Sequence, residues 1–147
     1  MAKDIFHNKV KIALQKDGWL ITHDPYQLRY GMADIYIDMA AEEAIALQSA
    51  PKAIAAEKEG CKIAVEVKSF AGGSTISQFH TALGQFLNYR IALEISDEPE
   101  RILYLAIPKD TYQMFIRFEP AKTVIERYEV RLIVYDPNYE VINQWIN

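Results

Sequence analysis

Cysteine is nearly absent from this sequence of 147 residues, which has only Cys61, so an internal disulfide or a cysteine metal cluster is excluded. Long hydrophobic runs are missing too. The longest, residues 102–107, falls far short of the roughly 20 residues that a transmembrane helix needs. The first residues hold no apolar stretch of the kind found in signal peptides. We therefore expect a soluble, cytoplasmic protein that does not enter a membrane.

A concentration of positive charge is also lacking. Residues 1–93 carry ten Lys and Arg against ten Asp and Glu, whereas residues 94–147 carry six against ten. The net charge of −4 therefore lies entirely in the last third. Proteins that hold duplex DNA by neutralising its phosphates usually show a basic stripe. The sequence thus predicts weak DNA binding by the chain alone, unless a metal ion or a second protein adds positive charge.

Several catalytic signatures are missing as well. The sequence has no nucleophile elbow, no P-loop and no dinucleotide-binding fingerprint, so hydride transfer and nucleotide hydrolysis have no support. Its three histidines, His7, His23 and His80, do not have the spacing of metal ligands. We interpret His7 as a packed or surface residue of the first helix.

The composition is that of an ordinary globular protein, with 50% hydrophobic and 24% charged residues. The length predicts a single domain over residues 1–147. Periodicity and turn residues predict an α/β fold in which helices pack on a mixed β-sheet. The expected elements are a helix over 4–17, strands over 19–22 and 33–40, a helix over 41–59, a strand over 62–70, a helix from 75 or 77 to 93, a strand over 101–107, a short helix from about 110 and a hairpin of 131–135 and 139–145.

Acidic residues on two of these strands form the candidate site. The strand over 62–70 presents Glu66 and Lys68 on one face and aliphatic side chains on the other. The strand over 33–40 carries Asp34 and Asp38 on one face, about 13 Å apart. Only one of them can lie level with Glu66, and we favour Asp38 because active-site residues collect at strand ends in α/β folds.

This set of residues suits phosphodiester hydrolysis. Asp38, Glu66 and the main-chain carbonyl of Val67 are hard oxygen ligands for Mg²⁺ or Mn²⁺. The metal would polarise the phosphodiester and lower the pKa of a bound water, while Lys68 would orient that water or stabilise developing negative charge. The alternative is an ion pair on a solvated sheet face, which a Glu-x-Lys pattern often forms by chance.

Two further residues are weaker candidates. Gln85 lies on a polar flank of the helix that ends near residue 93, beside Gln78 and Tyr89. From there Gln85 or Tyr89 could touch a phosphate or a metal-bound water, although capping the edge of the core is at least as good an explanation. Glu57 could be an additional ligand, but in a run rich in Ala, Glu and Lys it is more often a solvated helix charge.

The last third of the chain is aromatic as well as acidic. Its final strand carries Val141, Ile142, Trp145 and Ile146, which is a large apolar surface for a chain terminus. Such patches often mark a subunit interface. An acidic, aromatic face favours a protein partner over nucleic acid, and a homodimer is one possible assembly.

Four blocks of the sequence resemble the XisH family, the cyanobacterial fdxN-element excision controlling factors. They are KDIFHNKVKIALQKDGW, AAEKEGCKIAVEVKSF, FHTALGQFLNYR and RLIVYDPNYEVINQWIN. The resemblance covers essentially the whole chain. It implies a restriction-endonuclease-like fold of the PD-(D/E)XK type and a role in programmed excision of a DNA element during heterocyst formation. It also implies a companion protein, XisI, and a separate recombinase that performs strand exchange.

Carried over residue by residue, the resemblance implies that Asp38 is the acidic residue of the second strand. Glu66 and Lys68 then form the Glu-x-Lys pair, and Gln85 lies in the helix that follows. Two features depart from the pattern. The segment after Asp38 is longer than expected, with residues 48–52 as the insertion, and no proline precedes Asp38.

Two functions therefore remain open. One is a nuclease-like, Mg²⁺- or Mn²⁺-dependent endonuclease of the PD-(D/E)XK type that acts in excision control. The other is a catalytically inactive regulatory module that keeps the fold and acts through a XisI-type partner.

Overall fold

Residues 3–43 and 60–147 are described by the computed structural model. Its helices are α1 (His7–Lys16), α2 (Thr75–Glu94), α3 (Lys109–Arg117) and α4 (Ala121–Arg127). Its strands are β1 (Trp19–His23), β2 (Tyr26–Tyr30), β3 (Ala33–Ile37), β4 (Met39–Glu43), β5 (Lys62–Val67), β6 (Ile102–Pro108), β7 (Leu132–Asp136) and β8 (Val141–Ile146). Among these helices, none is long and apolar enough to cross a lipid bilayer.

Six of the strands form one mixed sheet in the order β1-β4-β5-β6-β7-β8, and β2 pairs with β3 in a separate ribbon. Strands β4, β5 and β6 make the centre, where β5 runs antiparallel to β4 and parallel to β6. The β6–β7 pair is parallel as well, whereas both edge pairs are antiparallel. The predicted α/β fold, a mixed sheet flanked by helices, is confirmed.

Alternation along β5 divides the core into two layers. Ile63, Val65 and Val67 point to the side covered by α1, where they pack with Val10 and Leu14. On the opposite side, buried residues of the sheet such as Ala64, Leu105 and Ile107 pack against α2, α3 and α4. The helices contribute Phe86 and Phe115, among others. Because side chains alternate with a period of two, Glu66 also lies on the α2 side.

Two predicted elements differ from the structure. The expected strand over 33–40 is two strands, since the chain leaves the β2–β3 ribbon at Ile37 and enters the main sheet at Met39. Residues 41–43 of the expected helix over 41–59 belong to β4, where they pair with β1 and β5. The rest of that prediction, including Glu57, lies outside the described residues.

Two elements were not expected at all. No element was predicted for the segment that forms strand β2, and α4 follows α3 after a short break. The C-terminal hairpin was expected. Its Trp145, however, packs against other residues of the same chain, with ring centroids 5.5 Å from Trp19 and 5.0 Å from Tyr104. Trp145 therefore contributes less to an exposed patch than the sequence suggested.

Candidate functional site

Asp38 occupies the single position between β3 and β4. It follows the last residue of the ribbon and precedes the first residue of the central sheet, so its side chain lies at the end of the sheet. Asp34 remains within the ribbon, where its carboxylate forms an exposed ion pair with Arg29 at 3.1 Å. The break in the strand thus separates the two aspartates that the sequence placed on one face, and only Asp38 reaches the site.

Asp38 and the end of β5 hold each other through reciprocal hydrogen bonds. The main-chain N–H of Asp38 donates to Oε1 of Glu66 at 3.2 Å, and the N–H of Val67 donates to Oδ2 of Asp38 at 2.7 Å. Each carboxylate is therefore oriented by a main-chain group of the opposite strand. The fold thus brings Asp38 and Glu66 together at one end of the sheet.

Lys68 follows directly after β5, and its main chain is fixed on two sides. Its N–H donates to the carbonyl of Ala106 at 3.0 Å, and its carbonyl accepts a hydrogen bond from the Tyr135 hydroxyl at 3.0 Å. The ammonium lies 3.7 Å from Oε2 of Glu66, within ion-pair distance. The predicted Glu-x-Lys pair is thus formed, with a lysine that is partly buried.

The two carboxyl groups have unusual acidity. Burial, followed by the negative charge of Asp38, raises the pKa of Glu66 to about 8. Burial also raises the pKa of Asp38, against the hydrogen bond from Val67 and the nearby charges of His7 and Lys68. Two neighbouring buried carboxylates repel each other, so the pair retains a proton at neutral pH unless a cation lies against it.

The donor set fits a divalent cation of the Mg²⁺ or Mn²⁺ class. Asp38 and Glu66 supply carboxylate oxygens, and the Val67 carbonyl lies on the same strand edge as the Val67 N–H that contacts Asp38. In the described residues, no three His, Cys, Asp or Glu side chains already surround one point. Magnesium sites commonly use only one or two carboxylates and complete their coordination with water and substrate phosphates.

A second network approaches Asp38 from α1. His7 is 3% exposed, and its Nε2 lies 2.8 Å from Oδ1 of Asp24. The Lys11 ammonium, one helical turn further along α1, donates to the other Asp24 oxygen at 2.9 Å. The remaining ring nitrogen of His7, Nδ1, lies 3.8 Å from Oδ1 of Asp38. Helix α1 thus connects the partly buried Asp24 carboxylate to the candidate site.

The start of α1 is tied to the same end of the sheet. One carboxylate oxygen of Asp4 accepts from the Phe6 N–H at 2.9 Å, and the other accepts from the Ser69 N–H at 2.9 Å. Asp4 is not the N-cap of α1, since that position is Phe6 and has no side-chain cap, but Asp4 joins the start of the helix to the residue after Lys68. This contact fixes His7 relative to β5.

Gln85 and Tyr89 lie one turn apart on α2. The pKa of Tyr89 is raised to about 12 by burial and then by the charges of Glu66 and Asp38, so its hydroxyl is in the electrostatic field of the site. Oε1 of Gln85 is buried and makes no hydrogen bond to any described residue. Both side chains line one cavity with Tyr30 and Ile35. Gln85 is therefore available to a ligand, although its role stays a prediction.

A family model described as XisH protein matches residues 1–143. The chain belongs to the XisH family. A crystal structure of an XisH family protein from Nostoc punctiforme is 48% identical, with a TM-score of 0.82 over 98% of this chain and 100% of that one. The crystal structure of an fdxN element excision controlling factor protein from Anabaena variabilis is 47% identical, with a TM-score of 0.82 over 99% and 100%. No match was found among curated proteins.

Two residues of the site in this XisH chain were missed by the sequence interpretation. His7 was taken as packed or surface-lying, and Asp24 only as part of a turn before a proline. The available signal was weak: His7 and Lys11 share one face of α1 because they are four residues apart. Nothing in the pattern shows that Asp24 is their common partner, since that contact depends on how β1 and the following turn fold over the helix.

Proposed function

We propose that this XisH protein is a controlling factor for programmed excision of a DNA element and that it contains a nuclease-like, metal-dependent centre. The observation that carries the proposal is the pair of reciprocal contacts between Asp38 and the Glu66-Val67 end of β5. These contacts bring two carboxylates together beside a lysine. Two carboxylates and a lysine are the side chains that metal-dependent phosphodiester hydrolysis needs. The similar protein from Anabaena variabilis, an fdxN element excision controlling factor, supports the excision role.

The chemistry divides between the cation and the chain. A Mg²⁺ or Mn²⁺ ion, held by Asp38, Glu66 and the Val67 carbonyl, would supply Lewis-acid polarisation and an acidified water. The Lys68 ammonium, fixed by its main-chain contacts to Ala106 and Tyr135, stabilises negative charge that develops on the phosphate. Its contact with Glu66, at 3.7 Å, orients that lysine. Gln85 orients the phosphate or a water from the side of α2.

The electrostatic balance indicates that DNA is held only weakly by the chain alone. The net charge is −4, with the excess acid in the last third. A bound divalent cation and a second protein would supply the missing positive charge at the phosphates. We therefore expect a strong dependence of DNA binding on divalent cation and on partner.

The second candidate function is a regulatory module that acts through a XisI-type protein and cleaves nothing. Exposed apolar side chains on α2 and at the end of α3 favour it: Ile76 is 55% exposed and Phe118 63%. Large exposed apolar side chains that lie together often mark a protein interface. Co-expression followed by gel filtration at micromolar concentration tests the partner, and separate elution of the two proteins would contradict it.

The decisive experiment compares cleavage of supercoiled, linear and branched DNA by the full chain in Mg²⁺ and in Mn²⁺. Wild type is compared with Glu66→Ala, Lys68→Ala and, as a matched control, Asp34→Ala. We expect metal-dependent cleavage that the first two changes abolish and the control leaves intact, because Asp34 lies in the ribbon. Intact DNA under every condition, with and without the partner, would favour the regulatory function instead.

A further inference from the structure

The imidazole of His7 is buried, with 3% exposed, yet only one of its nitrogens has a partner among the described residues. Its Nε2 faces the Asp24 carboxylate at 2.8 Å. Its Nδ1 is buried and, among the residues that the structure describes, makes no hydrogen bond. A buried polar atom without a partner loses roughly 1–3 kcal/mol of solvation, so an unpartnered Nδ1 needs an explanation.

The tautomer of His7 follows from its contact with Asp24. A carboxylate only accepts hydrogen bonds, so Nε2 must carry the proton that lies between them. Lys11 donates to the other oxygen of Asp24 at 2.9 Å, so both oxygens of that carboxylate face donors. In the neutral imidazole the lone pair is therefore on Nδ1, which lies 3.8 Å from Oδ1 of Asp38.

The distance between Nδ1 of His7 and Oδ1 of Asp38 shows whether a direct hydrogen bond or a bridging ion can satisfy Nδ1. At 3.8 Å it is longer than an N–H···O hydrogen bond, which spans about 2.7–3.2 Å. Two atoms that share one ion at about 2.1 Å each can lie up to about 4.2 Å apart. A cation between them satisfies both the nitrogen lone pair and the carboxylate oxygen.

The surroundings of His7 have the form that metal-binding histidines take. Such histidines almost always donate their second N–H to a carboxylate, which fixes the ring and raises its basicity as a ligand. In this chain Asp24 is the carboxylate that accepts a hydrogen bond from the other ring nitrogen of His7. A cavity of about 210 Å³ lies beside the imidazole and is lined by His7, Asp24 and Asp38. It is large enough for an ion with several waters, each of which occupies about 30 Å³.

We infer that His7, through Nδ1, is a nitrogen ligand of a divalent cation bound at Asp38, and that this cation is a first-row transition metal such as Mn²⁺ rather than Mg²⁺. The inference rests on the proposed role of Asp38 as a metal ligand. Imidazole nitrogen is a ligand of first-row transition metals rather than of Mg²⁺, and Mn²⁺ is the one among them that also suits the carboxylate oxygens of Asp38. Nδ1 of His7 thus adds a nitrogen to the oxygen ligands proposed above, and water takes the coordination positions that the protein leaves open.

The test measures binding of Mn²⁺ and of Mg²⁺ to the full chain by calorimetry and records pulsed electron paramagnetic resonance of the Mn²⁺ complex. We expect wild type to bind Mn²⁺ at least about ten-fold more tightly than Mg²⁺ and to show coupling to one ¹⁴N nucleus. His7→Gln, whose amide can still donate to Asp24, should remove the coupling and lower Mn²⁺ affinity about ten-fold or more, with little change for Mg²⁺. His80→Gln, on the exposed side of α2, is the matched control.

The absence of nitrogen coupling in wild type would overturn the inference whether or not the variant folds. So would an equal loss of Mn²⁺ and Mg²⁺ affinity in folded His7→Gln, because His7 would then only position Asp38. The outcomes separate this inference from the proposed function. Metal-dependent DNA cleavage without nitrogen coupling would support the proposed function and contradict His7 as a ligand. Nitrogen coupling without cleavage would support His7 as a ligand and contradict the nuclease function.

Discussion

The main-chain N–H of Asp38 donates to the carboxylate of Glu66 across 28 residues of sequence, at 3.2 Å. The contact exists because the chain leaves the β2–β3 ribbon at this residue and enters the sheet beside β5. The same change of direction turns the Asp38 side chain toward the Val67 N–H. One irregular residue therefore places two carboxylates together, and several measurable properties depend on that placement.

The stability of the metal-free protein should fall as pH rises through neutrality. The pKa of Glu66 is about 8 in the folded chain against an ordinary value of 4.5, so the folded state holds a proton that the unfolded state releases between these values. The contribution is fully present below the unfolded pKa and is lost as pH rises toward 8, by up to about 1.4 kcal/mol per pH unit.

Urea unfolding in the presence of a chelator measures how the free energy of unfolding depends on pH, for wild type and for Glu66→Gln. The amide cannot ionise, so the stability of the variant relative to wild type should increase from mildly acidic to mildly alkaline pH. Parallel pH profiles for the two proteins would show that Glu66 titrates normally.

Divalent cation should stabilise the protein more at alkaline than at acidic pH. Ligand carboxylates must be deprotonated, so binding competes with the proton shared by Asp38 and Glu66. At ten times its dissociation constant, the ion should add about 1.4 kcal/mol to the free energy of unfolding. Thermal unfolding with and without Mn²⁺ measures the increase in Tm across the pH range. The increase should be smaller in Glu66→Ala, and an equal increase at every pH would contradict proton competition.

The central strand and its Glu-x-Lys pair could be predicted because their pattern is local. Ile63, Val65 and Val67 alternate with residues of the other face, and a period of two specifies a strand whatever its neighbours are. The break at Asp38 could not be predicted in the same way. Ile35, Ile37 and Met39 continue the alternation without interruption, so the sequence resembles one strand although the chain passes from a ribbon to a sheet.

Asp24→Asn should destabilise the protein by roughly 1.5–3 kcal/mol, because hydrogen bonds to a charged, partly buried group are among the stronger ones. The change removes the ionic partner of both His7 and Lys11. Asp34→Asn is the control, since its exposed ion pair with Arg29 should contribute less than about 1 kcal/mol. Urea midpoints measure both, and equal losses would show that the Asp24 network is no stronger than a surface pair.

The difference between Asp24→Asn and wild type should also depend on pH. The pKa of Asp24 in the folded protein is lowered below its ordinary value, so its contribution is present above the unfolded value and is lost as pH falls through the folded one. The two proteins should therefore converge in stability under acid conditions.

Tyr135→Phe should cost about 1 kcal/mol, the usual contribution of a single hydrogen bond, because it leaves the Lys68 carbonyl without its donor. Tyr135 is fully buried and the change preserves its ring, so packing is maintained. Tyr139→Phe, at a hydroxyl on an exposed ring, should change stability by less than about 0.5 kcal/mol. The two variants are compared by urea unfolding, and a neutral Tyr135→Phe would show that Lys68 does not depend on this contact.

The α1 part of the site was beyond sequence reasoning for a physical reason. His7 is 17 residues from Asp24 and 31 from Asp38, and no periodicity relates residues that meet only when a helix packs on a sheet. The same holds for Tyr135, which lies 67 residues after Lys68. Local pattern specifies elements, whereas these contacts depend on how the elements assemble.

The anchoring of Lys68 has a consequence for synthesis on the ribosome. All of the candidate site residues have been synthesised by the time α2 has been translated, but Ala106 and Tyr135, which hold the main chain of Lys68, have not. A nascent or prematurely terminated chain that ends after α2 therefore contains the residues of the centre without the two strands that support it. If the centre cleaves DNA, its activity begins only once nearly the whole polypeptide has been made, so truncated products carry little risk to the genome.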